Sequence, residues 1–110
     1  MSGLNNVFFG DYIRELRTLR NLPLRKVAAE LDIDPSTLGK IERSTRKPPR
    51  EIIEKMAMLF NVDKNKLKSI YLSDKISFEV LEEGLDIGVL KEAEEKIDIL
   101  QKRIANETEH

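Results

Sequence analysis

Apolar side chains recur three and four positions apart along nearly the whole chain, and no convincing stretch alternates with a period of two. This spacing predicts helices and argues against a sheet. Breaks at prolines and turn-forming residues divide the first seventy residues into five short helices around one core. The predicted helices cover approximately residues 6–20, 24–31, 35–43, 50–60 and 63–71.

The chain changes character after residue 72. Residues 73–81 could either extend the fifth helix or form a short helix after it, and Gly84 then interrupts the pattern. Asp86 can cap a last helix over about residues 87–105. We therefore expect a helical domain over residues 1–72 and a helical extension over residues 73–110.

Residues 24–43 have the pattern of two short helices joined by a tight turn. Helices that cross steeply over so short a turn need a small residue where they touch, and Ala28 supplies it. The turn also needs an apolar residue, here Ile33, and the second helix needs apolar Leu38 and Ile41 against the core. A helix held in this way protrudes and can enter the major groove of DNA, which is about 12 Å wide. The pattern predicts a helix-turn-helix.

The second helix of this motif has a clear start signal in Asp34 and Pro35. Asp34 can cap the free amides, and proline at the first helical position loses no hydrogen bond. The helix is predicted to run from Pro35 to Arg43.

The net charge of −1 averages two unlike halves. Residues 1–72 carry 14 basic and 9 acidic side chains, a net charge of +5, whereas residues 73–110 carry 5 and 11, a net charge of −6. Residues 40–50 contain five basic residues and only one acidic residue, Glu42. This basic stretch could be a solvated loop or a set of phosphate contacts.

The segment from Phe9 to Tyr71 resembles the Xre family, which includes the phage repressors and Cro proteins. The resemblance covers more than half of the chain and both flanks of the motif. It implies an all-α fold with a five-helix, repressor-like helix-turn-helix domain that binds double-stranded DNA. The residues that carry it are Ile13-Arg14-Glu15-Leu16-Arg17, Leu22, Val27-Ala28 with Leu31, Ile33, Ser36-Thr37-Leu38, Ile41-Glu42-Arg43 and Arg46-Lys47-Pro48.

The resemblance implies that residues 35–43 are the recognition helix, with Ser36 and Lys40 facing the bases. Pro35 occupies a further base-facing position, where it can offer only apolar contact. Arg17 and Glu42 match positions that pair in the family, although they could also be independent surface charges. The predicted phosphate contacts are Arg25, Thr37, Arg43, Arg46, Lys47 and Arg50.

Three residues depart from the family pattern. Leu24 stands where the family usually has a glutamine that touches phosphate, and Asp32 replaces the usual glycine of the turn. Aspartate tolerates a left-handed backbone better than most residues. Gly39 weakens the recognition helix by about 1 kcal/mol relative to alanine. Close approach to DNA and simple tolerance are both possible reasons for this glycine.

The last predicted helix carries an apolar seam with spacings of 3, 4, 3 and 4 residues, which is a heptad pattern over about two heptads. It can join two copies of the chain, hold a different protein, or pack on its own domain. A dimer would suit a two-fold symmetric operator. The alternative is an antitoxin-like or protein-interaction module. The seam comprises Leu90, Ala93, Ile97, Leu100 and Ile104.

Few residues suit catalysis. The chain has no cysteine, its one histidine is His110, and it has no glycine-rich phosphate loop. We expect a transcription regulator and not an enzyme, with no metal and no cofactor. The first ten residues lack the features of a signal peptide, and no run approaches the roughly 18 apolar residues that span a bilayer. We therefore expect a cytoplasmic protein with no membrane partner.

Overall fold

A computed structural model describes residues 8–108. Residues 1–7, where the first helix was expected to begin, and residues 109–110, which include His110, lie outside the described part. The described chain is all-helical, as the sequence predicted. Its helices are α1 (Phe9–Leu19), α2 (Leu24–Leu31), α3 (Pro35–Glu42), α4 (Ile52–Phe60), α5 (Lys64–Glu82) and α6 (Gly88–Thr108).

Most helix bounds lie close to the predicted ones. Of the two alternatives for residues 73–81, the structure shows the extension, because α5 continues past Tyr71 to Glu82. Residues 72–82 contain no glycine or proline, so nothing in the backbone stops the helix there. It ends just before Gly84, whose φ of 72° is a left-handed conformation that glycine adopts easily.

The core is formed by apolar side chains from all of the first five helices. Each helix turns its i, i+3 and i+4 positions inward, so the core is built from the periodicity that the sequence shows. The largest fully buried side chains are Phe9, Ile13, Val27, Leu31, Leu38, Ile41, Met56, Phe60 and Leu67.

The chain divides into two compact units between Asp74 and Lys75, within α5. In the second unit, the amide of Gly88 donates a hydrogen bond to Asp86 Oδ1 at 2.9 Å, so Asp86 caps α6 as predicted. No side chain of α6 is buried over the residues whose exposure the structure describes, 88–107.

Candidate nucleic-acid interface

The turn between α2 and α3 depends on one left-handed residue. Asp32 has φ 59° and ψ 45°, the conformation expected for the residue that replaces glycine. The amide of Ile33 donates to the Ala28 carbonyl at 3.0 Å and closes the end of α2. Asp34 occupies the position before α3, but its side chain makes no capping hydrogen bond, so that part of the prediction is wrong. Pro35 begins α3 without losing a hydrogen bond.

The motif presents one face of α3 to solvent. Leu38 and Ile41 are fully buried on the inner face. Ser36 and Lys40 lie one turn apart on the outer face and are exposed, as is Pro35 at the first position. The three residues predicted to face bases are therefore accessible at the start and middle of the helix.

An ion pair joins α1 to α3. Arg17 Nε donates to Glu42 Oε2 at 2.7 Å and Nη2 donates to Oε1 at 3.0 Å, a bidentate arrangement. A third bond runs from Arg17 Nη1 to the Leu22 carbonyl at 2.9 Å. Only 15% of the Arg17 side chain and 5% of the Glu42 side chain are exposed. The hydrogen bond to Glu42 raises the pKa of Arg17 above its ordinary value, against the opposing effect of burial. The pair fixes the orientation of α3 from the side opposite its outer face.

The loop after α3 carries basic side chains into solvent. Ser44 turns the chain with a φ of 61°, and the amide and hydroxyl of Thr45 both donate to the Lys40 carbonyl, at 2.9 and 3.1 Å. These bonds end α3 and hold the start of the loop. All five basic residues predicted to contact phosphates are exposed: Arg25, Arg43, Arg46, Lys47 and Arg50. Thr37, the remaining predicted phosphate contact, is half-buried.

These five basic side chains form no ion pair with the residues that the structure describes. Their charges are therefore not neutralised by a neighbouring carboxylate within salt-bridge distance. A set of uncompensated cations beside an exposed helix face suits a polyanion.

Leu24 and Gly39, two of the departures from the family pattern, are neighbours. A Cβ on Gly39 would lie 3.6 Å from Leu24 Cδ2 and 3.3 Å from Arg43 Nη1. Leu24 is half-buried against the core, so it has a packing role at the position where the family usually has a glutamine that touches phosphate. Gly39 is covered by these two side chains.

Gly10, Asp74 and Arg20 support the fold, and the sequence analysis found no signal for any of them. Gly10 lets α1 and α3 touch, because a Cβ there would lie 2.2 Å from the Ile41 carbonyl oxygen. Asp74 Oδ2 accepts a hydrogen bond at 2.9 Å from the amide of Phe9, at the start of α1. Burial raises the pKa of the Asp74 carboxyl above its ordinary value, although the bond from Phe9 lowers it.

Arg20 links the end of α1 to the end of α4. Its guanidinium donates to the carbonyls of Leu59 and Phe60, which end α4, and lies 5.6 Å from the centroid of the Phe60 ring. These contacts join residues about forty positions apart, so no local sequence pattern predicts them.

The helix-turn-helix family model matches residues 13–67, which is half of the chain. The chain belongs to this family, in its Xre-type branch. The resemblance inferred from the sequence is thus confirmed, and the family places the chain among DNA-binding transcription regulators. None of the helices in the described residues is long and apolar enough to cross a membrane.

Among solved structures, the chain is similar to the restriction-modification controller protein C.AhdI from Aeromonas hydrophila. The two are 32% identical in sequence, with a TM-score of 0.49, and the match covers 54% of this chain and 89% of that chain. No curated protein matches the chain.

Proposed function

We propose that this helix-turn-helix protein is a sequence-specific transcription regulator that binds a two-fold symmetric operator as a homodimer. Its function is binding and not catalysis. The observation that carries the proposal is the outer face of α3, which is exposed, polar and flanked by five cations with no ion-pair partner among the described residues. The first 72 residues act as the DNA-binding domain.

In this proposal α3 enters the major groove. Lys40 donates to guanine O6 or N7, Ser36 makes a permissive hydrogen bond, and Pro35 offers apolar contact to a thymine methyl group. Thr37 and the basic residues hold the phosphates and supply the salt-sensitive part of the affinity. The proposed phosphate residues are Arg25, Arg46, Lys47 and Arg50.

The seam on α6 is the proposed dimer contact. Ile97 and Ile104 fall at a positions and Leu100 at a d position, the combination that favours two parallel strands. Leu90, Ile97 and Leu100 are 41%, 55% and 50% exposed. A second copy would remove these apolar surfaces from water.

Charges beside the seam favour a parallel pair over an antiparallel one. Lys96 and Arg103 both occupy g positions, which face other g positions in an antiparallel pair and would repel there. In a parallel pair Lys96 faces the neutral Gln101 of the second copy. Two copies side by side match the symmetry of a two-fold operator.

A second candidate function rests on the same surface. The acidic extension, with its exposed seam, could hold a different protein, as an antitoxin-like module does. That reading predicts a monomer in the absence of the partner, so the mass of the purified chain in solution separates it from the dimer.

Selection of binders from a random duplex DNA pool at about 150 mM salt tests the proposal, because affinity and specificity depend on salt. We expect a two-fold symmetric motif whose half-sites lie about one helical turn apart. No enrichment, together with binding that disappears as salt rises, would show that α3 does not read sequence. A Lys40→Ala variant should lose preference at one base position, whereas Lys47→Ala should bind all sites more weakly.

A further inference from the structure

We propose that Arg43 reads a guanine in each half-site, and that the absence of a side chain at Gly39 leaves room for the Arg43 guanidinium on the base-reading face of α3. This inference rests on the proposed function, since it assigns a specificity-determining residue to the same helix. It replaces the phosphate contact that the sequence predicts for Arg43.

Arg43 directly follows α3 as its C-cap residue and continues the outer face of this helix. It lies seven residues after Ser36 and three after Lys40, spacings that place all three side chains along one stripe of a helix with 3.6 residues per turn. Side chains on a helix point back toward its N-terminus. The Arg43 side chain therefore extends back along α3 to Gly39 and not toward the loop that carries Arg46.

The distances around Gly39 show where the guanidinium lies. A Cβ on Gly39 would be 3.3 Å from Arg43 Nη1 and 3.9 Å from Nη2, so the flat group covers this glycine. Leu24 Cδ2, 3.6 Å from the same point, forms an apolar wall beside it. A methyl group at position 39 would force the guanidinium to shift by a few tenths of an ångström, and a longer side chain would force a larger shift.

The hydrogen-bond donors of Arg43 are uncommitted. Its side chain makes no hydrogen bond or ion pair with the residues that the structure describes. An arginine fork matches guanine O6 and N7 with two parallel hydrogen bonds, which is the commonest specific contact in the major groove. Arg17 and Arg20, by contrast, donate hydrogen bonds to carboxylate and carbonyl oxygens within the domain.

The test compares three variants, Arg43→Ala, Arg43→Lys and Arg46→Lys, in the pool selection followed by affinity measurements on single-base variants of the selected site. We expect Arg43→Ala to reduce the preference for guanine at one position of each half-site by about 5- to 100-fold. Arg43→Lys keeps the charge but not the fork, so it should lose most of the same preference. Arg46→Lys should leave every base preference in place.

If the parent selects a motif but Arg43→Ala keeps all its base preferences and loses affinity evenly on every site, Arg43 is a phosphate contact and the inference is wrong. If the parent selects no motif, the proposed function itself fails. The two failures are therefore distinguishable.

Gly39→Ala tests the role of the glycine. The methyl group's tightest contact is with the end of the flexible Arg43 side chain, and Leu24 lies at an ordinary contact distance. The fold should therefore survive, with a thermal midpoint equal to or above that of the parent. The displaced guanidinium should nevertheless weaken the preference for the same guanine. A folded Gly39→Ala protein with unchanged preference at that position would contradict the role assigned to Gly39.

Discussion

At the scale of single residues, the glycines within α1 and α3, Gly10 and Gly39, differ in how closely their neighbours approach. A Cβ on Gly10 would collide with main-chain oxygens of α3, at 2.2 Å from Ile41 and 2.8 Å from Glu42. The atoms nearest to a Cβ on Gly39 would be a leucine methyl group and the end of the flexible Arg43 side chain. The first glycine is required by packing, whereas the second is compatible with a larger residue as far as the fold is concerned.

The Gly10→Ala variant should therefore lose stability. The backbones of α1 and α3 must separate to admit the methyl group, and overpacking of this kind costs about 1–3 kcal/mol or more. Chemical denaturation measures the loss, with Gly39→Ala as the matched control, which should gain up to about 1 kcal/mol from helix propensity. Equal stability of the two variants would show that α1 and α3 can move apart freely.

The ion pair between Arg17 and Glu42 gives a second prediction at this scale. Glu42→Ala leaves the Arg17 charge nearly buried and without its partner, so we expect a loss of about 3–5 kcal/mol in the free energy of unfolding. Glu54→Ala is the control, because its partner Lys64 lies 3.6 Å away in an exposed pair. That variant should lose no more than about 1 kcal/mol. A Glu42→Ala protein as stable as the parent would show that the pair contributes nothing.

At the scale of helices, α5 stabilises α1 through one carboxylate. Asp74 accepts a hydrogen bond from the amide of Phe9, one of the amides that the first turn of α1 leaves without a partner. The contact joins residues 65 positions apart in the sequence. It exists only because α5 continues beyond Tyr71, so the longer helix has a structural consequence.

This contact predicts a pH dependence of stability. Burial raises the pKa of Asp74 in the folded chain, so the folded state holds this proton to a higher pH than the unfolded state does. The stabilising contribution of protonation is complete below the unfolded pKa of about 3.9 and is lost as the pH rises through the raised folded value. Asp74→Asn keeps an acceptor for the Phe9 amide but cannot titrate.

The parent should therefore lose stability relative to Asp74→Asn as the pH rises above about 4, and the difference should then become constant. Urea denaturation of both proteins across this range measures the difference. A difference that does not change with pH would contradict the raised pKa. Asp74→Ala, which removes the acceptor, should be less stable than Asp74→Asn at every pH.

At the scale of the whole molecule, periodicity predicted the parts of the fold that each helix determines by itself. The bounds of α2, the inward positions Leu38 and Ile41, and the left-handed Asp32 all follow from local spacing or backbone preference. The contacts of Gly10 and Asp74 do not, because they depend on which helices meet. The charge and position of Arg43 predicted a DNA contact, but the direction of its side chain depends on Gly39 and Leu24 together.

The seam on α6 provides the last prediction, because the helix offers its own control. Ile97 lies on the seam and Ile99 lies off it, and they are similarly exposed, at 55% and 47%. A charge on the seam would be buried between two copies, whereas a charge at position 99 would stay in water. We expect Ile97→Glu to raise the dimer dissociation constant at least about tenfold, roughly 1.4 kcal/mol, and Ile99→Glu to leave it nearly unchanged.

Sedimentation over a range of protein concentrations measures both constants, and binding to one and to two half-sites shows the consequence for DNA. The Ile97→Glu protein should lose the advantage of the second half-site while its affinity for a single half-site stays the same, since the recognition helix is untouched. If both variants remain dimers, the copies pair through another surface. If the parent is a monomer at every concentration, the seam does not join two copies, and the antitoxin-like function, in which it binds a different protein, is favoured.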